Sequence, residues 1–263
     1  MAEVFDVAQA LGDGAVDRAG VWGFVKAFSA SWETPLAPGD GFTPAEIRSA
    51  EERLGLGLPA ALHEAYLLFG RRSDLIAGQN PLLGPDELLL DPSGRLLVFR
   101  SENQGCAGWG VPLTELSADD PPVALFSDHL PRFSWRPFLD RLSLACVEAV
   151  LSEAVMARRY GPQGRECRAT PELIAWVETA YEPVALPLHP TWYQPTGAPV
   201  RWFSAPGRLL CLEPAGTSQN LVVVGREKAD LLEVVRTVPG DWPAANPAQP
   251  DRTTDECDMV LPF

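Results

Sequence analysis

Residues 43–70 read TPAEIRSAEERLGLGLPAALHEAYLLFG and carry the clearest local signals in the chain. Thr43 is a suitable N-cap, Pro44 suits the first helical position, and Glu46 has the spacing that completes a capping box. Gly55 is expected to end this helix. A second helix follows, because apolar residues recur at helical spacing up to the glycine that closes the stretch. The stretch therefore predicts two short helices joined by a tight connection.

Beyond these helices the pattern changes to short strands separated by turns. Asp91-Pro92-Ser93-Gly94 fits a type I turn, with Asp, Pro and Gly at positions that this turn favours. A long buried helix is expected to run from Phe138 to Met156, with Ser134 as its N-cap. Before that helix, an antiparallel meander is predicted from strands at residues 96–100, 107–112 and 123–127.

The second half of the chain shows the same alternation of helix and strand signals. A polar linker is expected over residues 158–170, followed by a helix from Thr170 to Thr179. A last helix is predicted at residues 228–236, before a Pro- and Asp-rich extended tail from Pro239. Between the two helices, strands are predicted at residues 183–188, 200–203, 209–212 and 221–224.

These patterns predict an α+β fold with a central, mainly antiparallel sheet that is flanked by helices. A first α+β domain is placed at residues 1–157. Residues 158–263 form a C-terminal α+β extension or subdomain, and no pattern in the sequence indicates its role. The oligomeric state is likewise left open.

Charge and composition restrict the classes of partner. The 263-residue chain has a formal net charge of −14 and a pI of about 4.6. It should repel nucleic acid and anionic membranes and attract basic proteins, although charge for solubility alone is the alternative. No apolar run approaches the length of a membrane span, and no basic, apolar leader is found, so a cytoplasmic location is expected. The five cysteines contain no C-x-x-C pair, which favours reduced thiols and no metal site.

Motifs for common catalytic chemistry are missing from the sequence. It contains no G-x-S-x-G elbow, no phosphate-binding P-loop and no G-x-G-x-x-G. No catalytic residue and no cofactor is therefore assigned, and the chain is not expected to be an enzyme. A hydrolase that uses paired carboxylates, with Glu102 as the candidate, is the less favoured alternative.

Acidic residues are concentrated in the predicted meander. Between Asp74 and Asp128 there are nine acidic residues and only two basic ones. Such a surface would steer a basic partner, and Trp109 is either an apolar anchor for it or a core residue. Glu102-Asn103-Gln104 either contacts the partner or fixes a turn. The predicted protein-binding residues are Asp86, Asp91, Glu102, Trp109, Glu115, Asp119, Asp120 and Asp128.

Two ordered motif blocks resemble the SUKH superfamily, which includes the yeast Smi/Knr cell-wall regulators and many bacterial proteins. The first block runs from Thr43 to Gly70 and contains the segment LGLGLP. The second runs from Val98 through Glu102-Asn103-Gln104-Gly105 to Trp109. Phe138-Leu139 is similar to the start of the family's last helix. The resemblance covers roughly residues 20–157.

The resemblance implies an α+β fold with a mainly antiparallel sheet. For bacterial members it implies an immunity protein that binds and neutralises a toxin domain, often a nuclease. Because nucleases have basic substrate grooves, an acidic surface would suit their inhibition. The alternative that the family offers is a regulatory scaffold that binds several cellular proteins.

Overall fold

The structure is a computed structural model and describes residues 4–14, 17–131 and 134–243. Within those ranges the chain forms two antiparallel five-stranded sheets and eight α-helices. The helices are α1 (Val7–Gly14), α2 (Arg18–Trp32), α3 (Pro44–Leu54), α4 (Ala60–Phe69), α5 (Ser73–Ile76), α6 (Leu142–Arg159), α7 (Pro171–Ala180) and α8 (Lys228–Thr237). The α+β class is confirmed.

The two sheets follow each other along the chain. Sheet 1 has the order β1-β2-β3-β4-β5, and sheet 2 has the order β6-β10-β9-β8-β7. Sheet 1 contains β1 (Leu89–Leu90), β2 (Leu96–Ser101), β3 (Ala107–Pro112), β4 (Val123–Ser127) and β5 (Trp135–Leu139). Sheet 2 contains β6 (Gly164–Ala169), β7 (Glu182–Pro183), β8 (Arg201–Ala205), β9 (Arg208–Ala215) and β10 (Ser218–Gly225).

The two helices predicted from residues 43–70 are confirmed. At the start of α3, Thr43 accepts a hydrogen bond from the Glu46 backbone N–H at 3.3 Å. The Glu46 carboxylate accepts the Thr43 backbone N–H at 2.8 Å, which completes the capping box. Gly55 ends α3 with φ of 65°, a left-handed conformation that favours glycine. These contacts are local, which is why sequence alone reveals them.

Sheet 1 matches the predicted meander but has two more strands, β1 and β5. Residues 135–139 form β5, so the prediction that the long helix begins near Phe138, with Ser134 as N-cap, is wrong. The expectation that Phe138-Leu139 begins a helix, which came from the family resemblance, is wrong for the same reason, because both residues lie in β5. Pro137 lies in this strand, and β5 is at the sheet edge, where a residue without an N–H is tolerated.

Sheet 2 begins inside the region predicted to be a linker. Residues 164–169 form β6, an edge strand that pairs along its whole length with β10. The strand predicted at residues 183–188 is limited to Glu182–Pro183, and a single bridge joins His189 to Val200. The other predicted strands and both helices of this half are confirmed. Most of the predicted extended tail lies outside the described residues.

Helix α6 lies between the two sheets and is buried on nearly every side. One hydrophobic core includes its residues, residues of sheet 1 such as Trp109, and residues of sheet 2 such as Trp202. A smaller core lies between sheet 2 and the helices α7 and α8. The boundary predicted after residue 157 falls in the last turn of α6. The two predicted domains therefore share the hydrophobic core around α6.

A buried glutamate of α6 organises the loop that precedes sheet 1. The Glu153 carboxylate accepts backbone N–H groups of Gly78 at 2.7 Å, Gln79 at 2.7 Å and Asn80 at 2.8 Å. A Cβ atom at residue 78 would come within 2.6 Å of this carboxylate and would displace it from its backbone donors. Three charge-assisted hydrogen bonds thus hold the loop against α6.

Replacing Glu153 should destabilise the fold. We expect Glu153→Ala to lower the free energy of unfolding by about 2–4 kcal/mol, because three backbone N–H groups lose a charged acceptor. Urea denaturation measures the change. Glu52→Ala, at an exposed position of α3, is the control and should change stability by less than about 0.5 kcal/mol. Equal effects of the two substitutions would contradict the role assigned to Glu153.

Candidate functional site

Three of the eight predicted binding residues are buried. Asp91 is 4% exposed, and its carboxylate accepts the backbone N–H groups of Arg95 at 2.7 Å and Leu96 at 2.8 Å. These bonds fix the turn before β2. Because its carboxylate is engaged and covered, Asp91 does not belong to an exposed contact surface.

Glu102 also fixes a turn. It is 2% exposed, and its carboxylate accepts the backbone N–H groups of Gln104 at 2.8 Å and Cys106 at 3.3 Å. Gln79 donates to its other oxygen at 3.3 Å. Of the two interpretations of Glu102-Asn103-Gln104, the structure therefore supports the turn for the glutamate. A covered carboxylate with these partners is also poorly placed to act as a general base.

Trp109 is a core residue. It is 3% exposed, and the Arg100 guanidinium lies 4.4 Å from the centre of its ring. The Phe138 ring contacts it edge-on, at 6.1 Å between centroids. Trp109 is thus unavailable as an anchor on the surface, and its aromatic ring instead holds a buried cation.

Asp120 is half-buried and holds the start of α6. Its carboxylate accepts the backbone N–H of Ser143 at 2.7 Å and the Ser143 hydroxyl at 2.6 Å, and pairs with Arg141 at 2.9 Å. It therefore satisfies a helix N–H that no residue of the helix can reach. The acidic loop 119–122 is in part a structural cap.

The remaining four predicted residues, Asp86, Glu115, Asp119 and Asp128, are exposed. Asp119 pairs with Arg18 at 3.3 Å, although its side chain stays 78% exposed. The neighbouring residues therefore leave these carboxylates largely in solvent. That they contact a partner stays a prediction.

Of these four, Asp119 lines a surface depression that we call the acidic groove, and Glu115 lies beside it. The groove has a volume of about 780 Å³ and is lined by residues 55–60, His63, Glu64, Leu113 and residues 116–119. Glu115 immediately precedes this last segment, in a short 3₁₀ helix (Leu113–Glu115). Sequence reasoning predicted Glu115 and Asp119 here but missed the leucines, whose burial depends on the approach of two distant segments.

One contact joins the two walls of the acidic groove, and two others fix Glu64 in its wall. The Ala61 backbone N–H at the start of α4 donates to the Asp119 carbonyl at 2.8 Å. Glu64 accepts hydrogen bonds from Arg18 at 3.0 Å and from the Trp22 indole at 2.7 Å. Burial opposes ionisation of Glu64, but these two donors lower the pKa of its carboxyl below the usual value. Glu64 therefore stays ionised at neutral pH, in an ion pair with Arg18.

The apolar part of the acidic groove comes from both segments. Leu56 and Leu58 belong to the LGLGLP connection, and Leu113 and Leu116 belong to the loop after β3. All four are half-buried, so each leaves part of its side chain accessible. The groove combines apolar surface with the carboxylates of Glu64 and the exposed Asp119, and such a mixture suits a protein-contact site.

A second concave region, the inter-sheet cavity, lies between the two sheets beside α6. Its volume is about 1010 Å³. On its wall Arg100 of β2 pairs with Glu148 of α6 at 2.5 Å, and Ser152 donates to the same carboxylate. Burial opposes ionisation of Glu148, but the Arg100 guanidinium keeps the pKa of this carboxyl below its usual value.

His189 is also part of that wall and is neutral. The Trp202 indole N–H donates to its Nε2 at 3.1 Å, so the proton lies on Nδ1, 3.2 Å from the Pro190 carbonyl oxygen. Burial lowers the pKa of His189 below the usual value, and the nearby Glu148 offsets this effect only in part.

Neither concave region contains a metal-binding cluster. In the described part of the chain, no group of three or more His, Cys, Asp or Glu residues is placed to hold a metal ion. Among the described cysteines, Cys146, Cys167 and Cys211 are buried free thiols. Helices long and apolar enough to cross a bilayer are likewise not found among the described residues.

Comparison of the chain with protein-family models, with characterised proteins and with solved structures found no match. The resemblance to the SUKH superfamily therefore stays a prediction that is based on the motifs at residues 43–70 and 98–109.

Asp120 and its neighbour provide a test of which carboxylates are structural. Asp120→Ala should lower the free energy of unfolding by about 1–3 kcal/mol, because α6 loses a partner for a terminal N–H. Asp119→Ala should change it by less than about 1 kcal/mol, as expected for an exposed ion pair. Thermal or urea denaturation compares the two. A larger effect at Asp119 would contradict the assignment.

The buried neutral histidine makes stability depend on pH. The pKa of His189 is lowered in the fold, so below about pH 6.5 the unfolded chain binds the extra proton more readily. The contribution of His189 is therefore complete above about pH 6.5 and is lost as the pH falls towards the folded-state pKa. We expect His189→Gln to flatten the decline in stability between about pH 7.5 and 5. His129→Gln, at an exposed position, should keep the wild-type profile.

Proposed function

We propose that this chain is a non-catalytic, cytoplasmic protein-binding module of the immunity type, which neutralises a basic toxin domain through the acidic groove. The observation that supports this proposal is that half-buried leucines line one surface depression together with the carboxylates of Glu64 and the exposed Asp119, and that the exposed Glu115 lies beside it. The leucines offer anchoring positions, and the carboxylates offer steering.

The charge of the whole molecule supports a basic partner. A net charge of −14 accelerates the approach of a positively charged domain at low salt. A nuclease-type toxin presents such a surface, since it binds phosphate groups. Glu115 and Asp119 are closest to the apolar contact, whereas Asp86 and Asp128 contribute to the long-range field.

Four of the predicted residues are not part of the proposed contact. Asp91, Glu102 and Asp120 have their carboxylates bound inside the fold, and Trp109 is in the core. The proposal therefore relies on fewer charges than the net charge of the meander suggests. It relies correspondingly more on the leucines of the acidic groove.

The proposal is tested by capture of partners from the native lysate at low salt. The wild-type chain and Leu116→Asp are used as paired baits, with bound proteins identified by mass spectrometry. We expect one stoichiometric basic protein on the wild-type bait and at least a roughly 30-fold loss of affinity for Leu116→Asp, as for a residue worth about 2 kcal/mol at an interface. The captured protein should be toxic when it is expressed alone and harmless when it is co-expressed with this chain.

Leu188→Asp is the matched control, because Leu188 is 62% exposed and lies in the second half of the chain. It should bind like wild type. Many weak partners in place of one would favour the scaffold alternative. Equal binding by all three baits would contradict the acidic groove as the contact site.

The steering role of the carboxylates is tested by kinetics. Asp119→Lys together with Glu115→Lys should slow association with the captured partner several-fold at low salt and reduce its salt dependence, because rim charges act mainly on the association rate. Surface plasmon resonance at two ionic strengths measures both effects. Unchanged association rates would remove these two residues from the proposed contact.

A further inference from the structure

The two walls of the acidic groove contain no strand among the residues that the structure describes. One wall is the LGLGLP connection with the start of α4, and the other comes from Leu113 and residues 116–119. A peptide that binds by extending a sheet needs the unpaired N–H and C=O groups of an edge strand. The acidic groove offers no such edge, so its occupant is not held as an added strand.

The side chains of the acidic groove argue against two other modes of recognition. Among its described lining residues there is no Phe, Tyr or Trp and no Lys or Arg. Polyproline segments dock in aromatic-lined grooves, and phosphorylated segments are bound by clusters of Arg. The groove lacks the side chains that either mode requires. Of the common ways to recognise an internal segment of a partner, an amphipathic helix laid in an apolar groove remains.

Apolar side chains reach the acidic groove from both walls. Leu56 and Leu58 come from one wall, and Leu113 and Leu116 come from the other. All four are half-buried, so part of each side chain is free to contact a ligand. A segment between the walls covers these leucines when it presents an apolar stripe, as a helix does when apolar residues recur at i, i+3, i+4 and i+7. The volume of about 780 Å³ is within the range of small-molecule sites, so it accommodates a few anchoring side chains.

The charge around the leucines selects the polar face of that helix. Arg18 pairs with two carboxylates, Glu64 at 3.0 Å and Asp119 at 3.3 Å, so the three side chains together carry one net negative charge. Glu115 is exposed beside the groove and adds a second. The whole chain has a net charge of −14. Lys or Arg residues beside the apolar stripe would meet carboxylates at close range, whereas acidic residues would be repelled.

We propose that the acidic groove binds a basic amphipathic helix of its partner. The apolar stripe of this helix lies between the leucines of the two walls, and its Lys or Arg side chains face Glu115 and Asp119. This inference rests on the proposed function, and it specifies which element of the basic partner occupies the groove.

The test uses three synthetic peptides of about 18 residues, a length at which an isolated helix can form. The helical basic peptide has Leu at i, i+3, i+4 and i+7 and Lys elsewhere. The alternating peptide has the same kinds of residue in a Leu-Lys repeat, which favours a strand. The helical acidic peptide has Glu in place of Lys.

Binding of each labelled peptide to the full chain is measured by fluorescence anisotropy, and circular dichroism measures the helix content of the bound peptide. We expect the helical basic peptide to bind as a helix, with a dissociation constant below about 100 μM. The other two peptides should bind at least about 10-fold more weakly, because one lacks the apolar stripe of a helix and the other lacks the charge.

Two glycine variants locate the binding in the acidic groove. A Cβ atom at Gly57 meets no atom within 4 Å, and Gly57 is not among the glycines with positive φ, so Gly57→Trp fills the groove without strain. It should weaken binding of the helical basic peptide at least about 10-fold. Gly12→Trp is the matched control, because Gly12 is exposed on α1 and its Cβ position is equally open. It should bind like wild type, and thermal denaturation checks that both variants are folded.

The proposal is overturned if the helical basic peptide binds more weakly than about 100 μM, or if the alternating peptide binds as tightly. Equal binding by folded Gly57→Trp and wild type also overturns it. Capture of one basic protein that Leu116→Asp loses, with failure of the helical basic peptide, would uphold the proposed function and refute the helical occupant. Tight binding of that peptide that Gly57→Trp abolishes, with no toxic basic protein captured, would support the helical occupant and contradict the proposed function.

Discussion

Two buried carboxylates on one helix constrain the whole structure. Helix α6 lies between the sheets, and its residues Glu148 and Glu153 are 5% and 2% exposed. An unpaired buried carboxylate costs several kcal/mol, so each needs a fixed partner. Arg100 of β2 serves Glu148, and the backbone N–H groups of residues 78–80 serve Glu153. These contacts fix the position of sheet 1 and its preceding loop relative to α6.

Both concave regions depend on this helix. Asp120 joins the start of α6 to the loop 113–120, and that loop forms one wall of the acidic groove. Farther along, Glu148 and Arg159 of the same helix line the inter-sheet cavity. The capping contact and the buried ion pair are thus structural, yet they determine where the accessible leucines and the inter-sheet cavity lie. Substitutions in α6 would be expected to disturb both regions together.

Whether an element of this fold could be predicted from the sequence depends on whether its contacts are between residues that are close together in the chain. Helix α3 was predictable because its capping box and terminal glycine involve neighbouring residues. The meander was predictable because its strands alternate with recognisable turns. Strand β5 was missed because Ser134, as a possible N-cap, and the long apolar run from Phe138 suggested a helix. Strand β6 was missed because its Arg- and Glu-containing sequence reads as a linker.

The candidate site shows the same limit more strongly. Net charge identified the meander as acidic, but sequence does not distinguish an exposed carboxylate from one that is bound to backbone N–H groups. Asp91 and Glu102 are of the second kind, because a turn folds around each of them. The acidic groove itself depends on the approach of α4 and the loop after β3, segments about 50 residues apart, for which no local pattern exists.

Hydrogen–deuterium exchange on the complex with the captured basic protein tests the central claim most directly, since it measures which backbone amides become protected on binding. Protection at residues 55–64 and 113–119, with unchanged exchange over residues 182–200, is the result that contact through the acidic groove predicts. Protection confined to the second half of the chain, with none at residues 55–64 or 113–119, would contradict it.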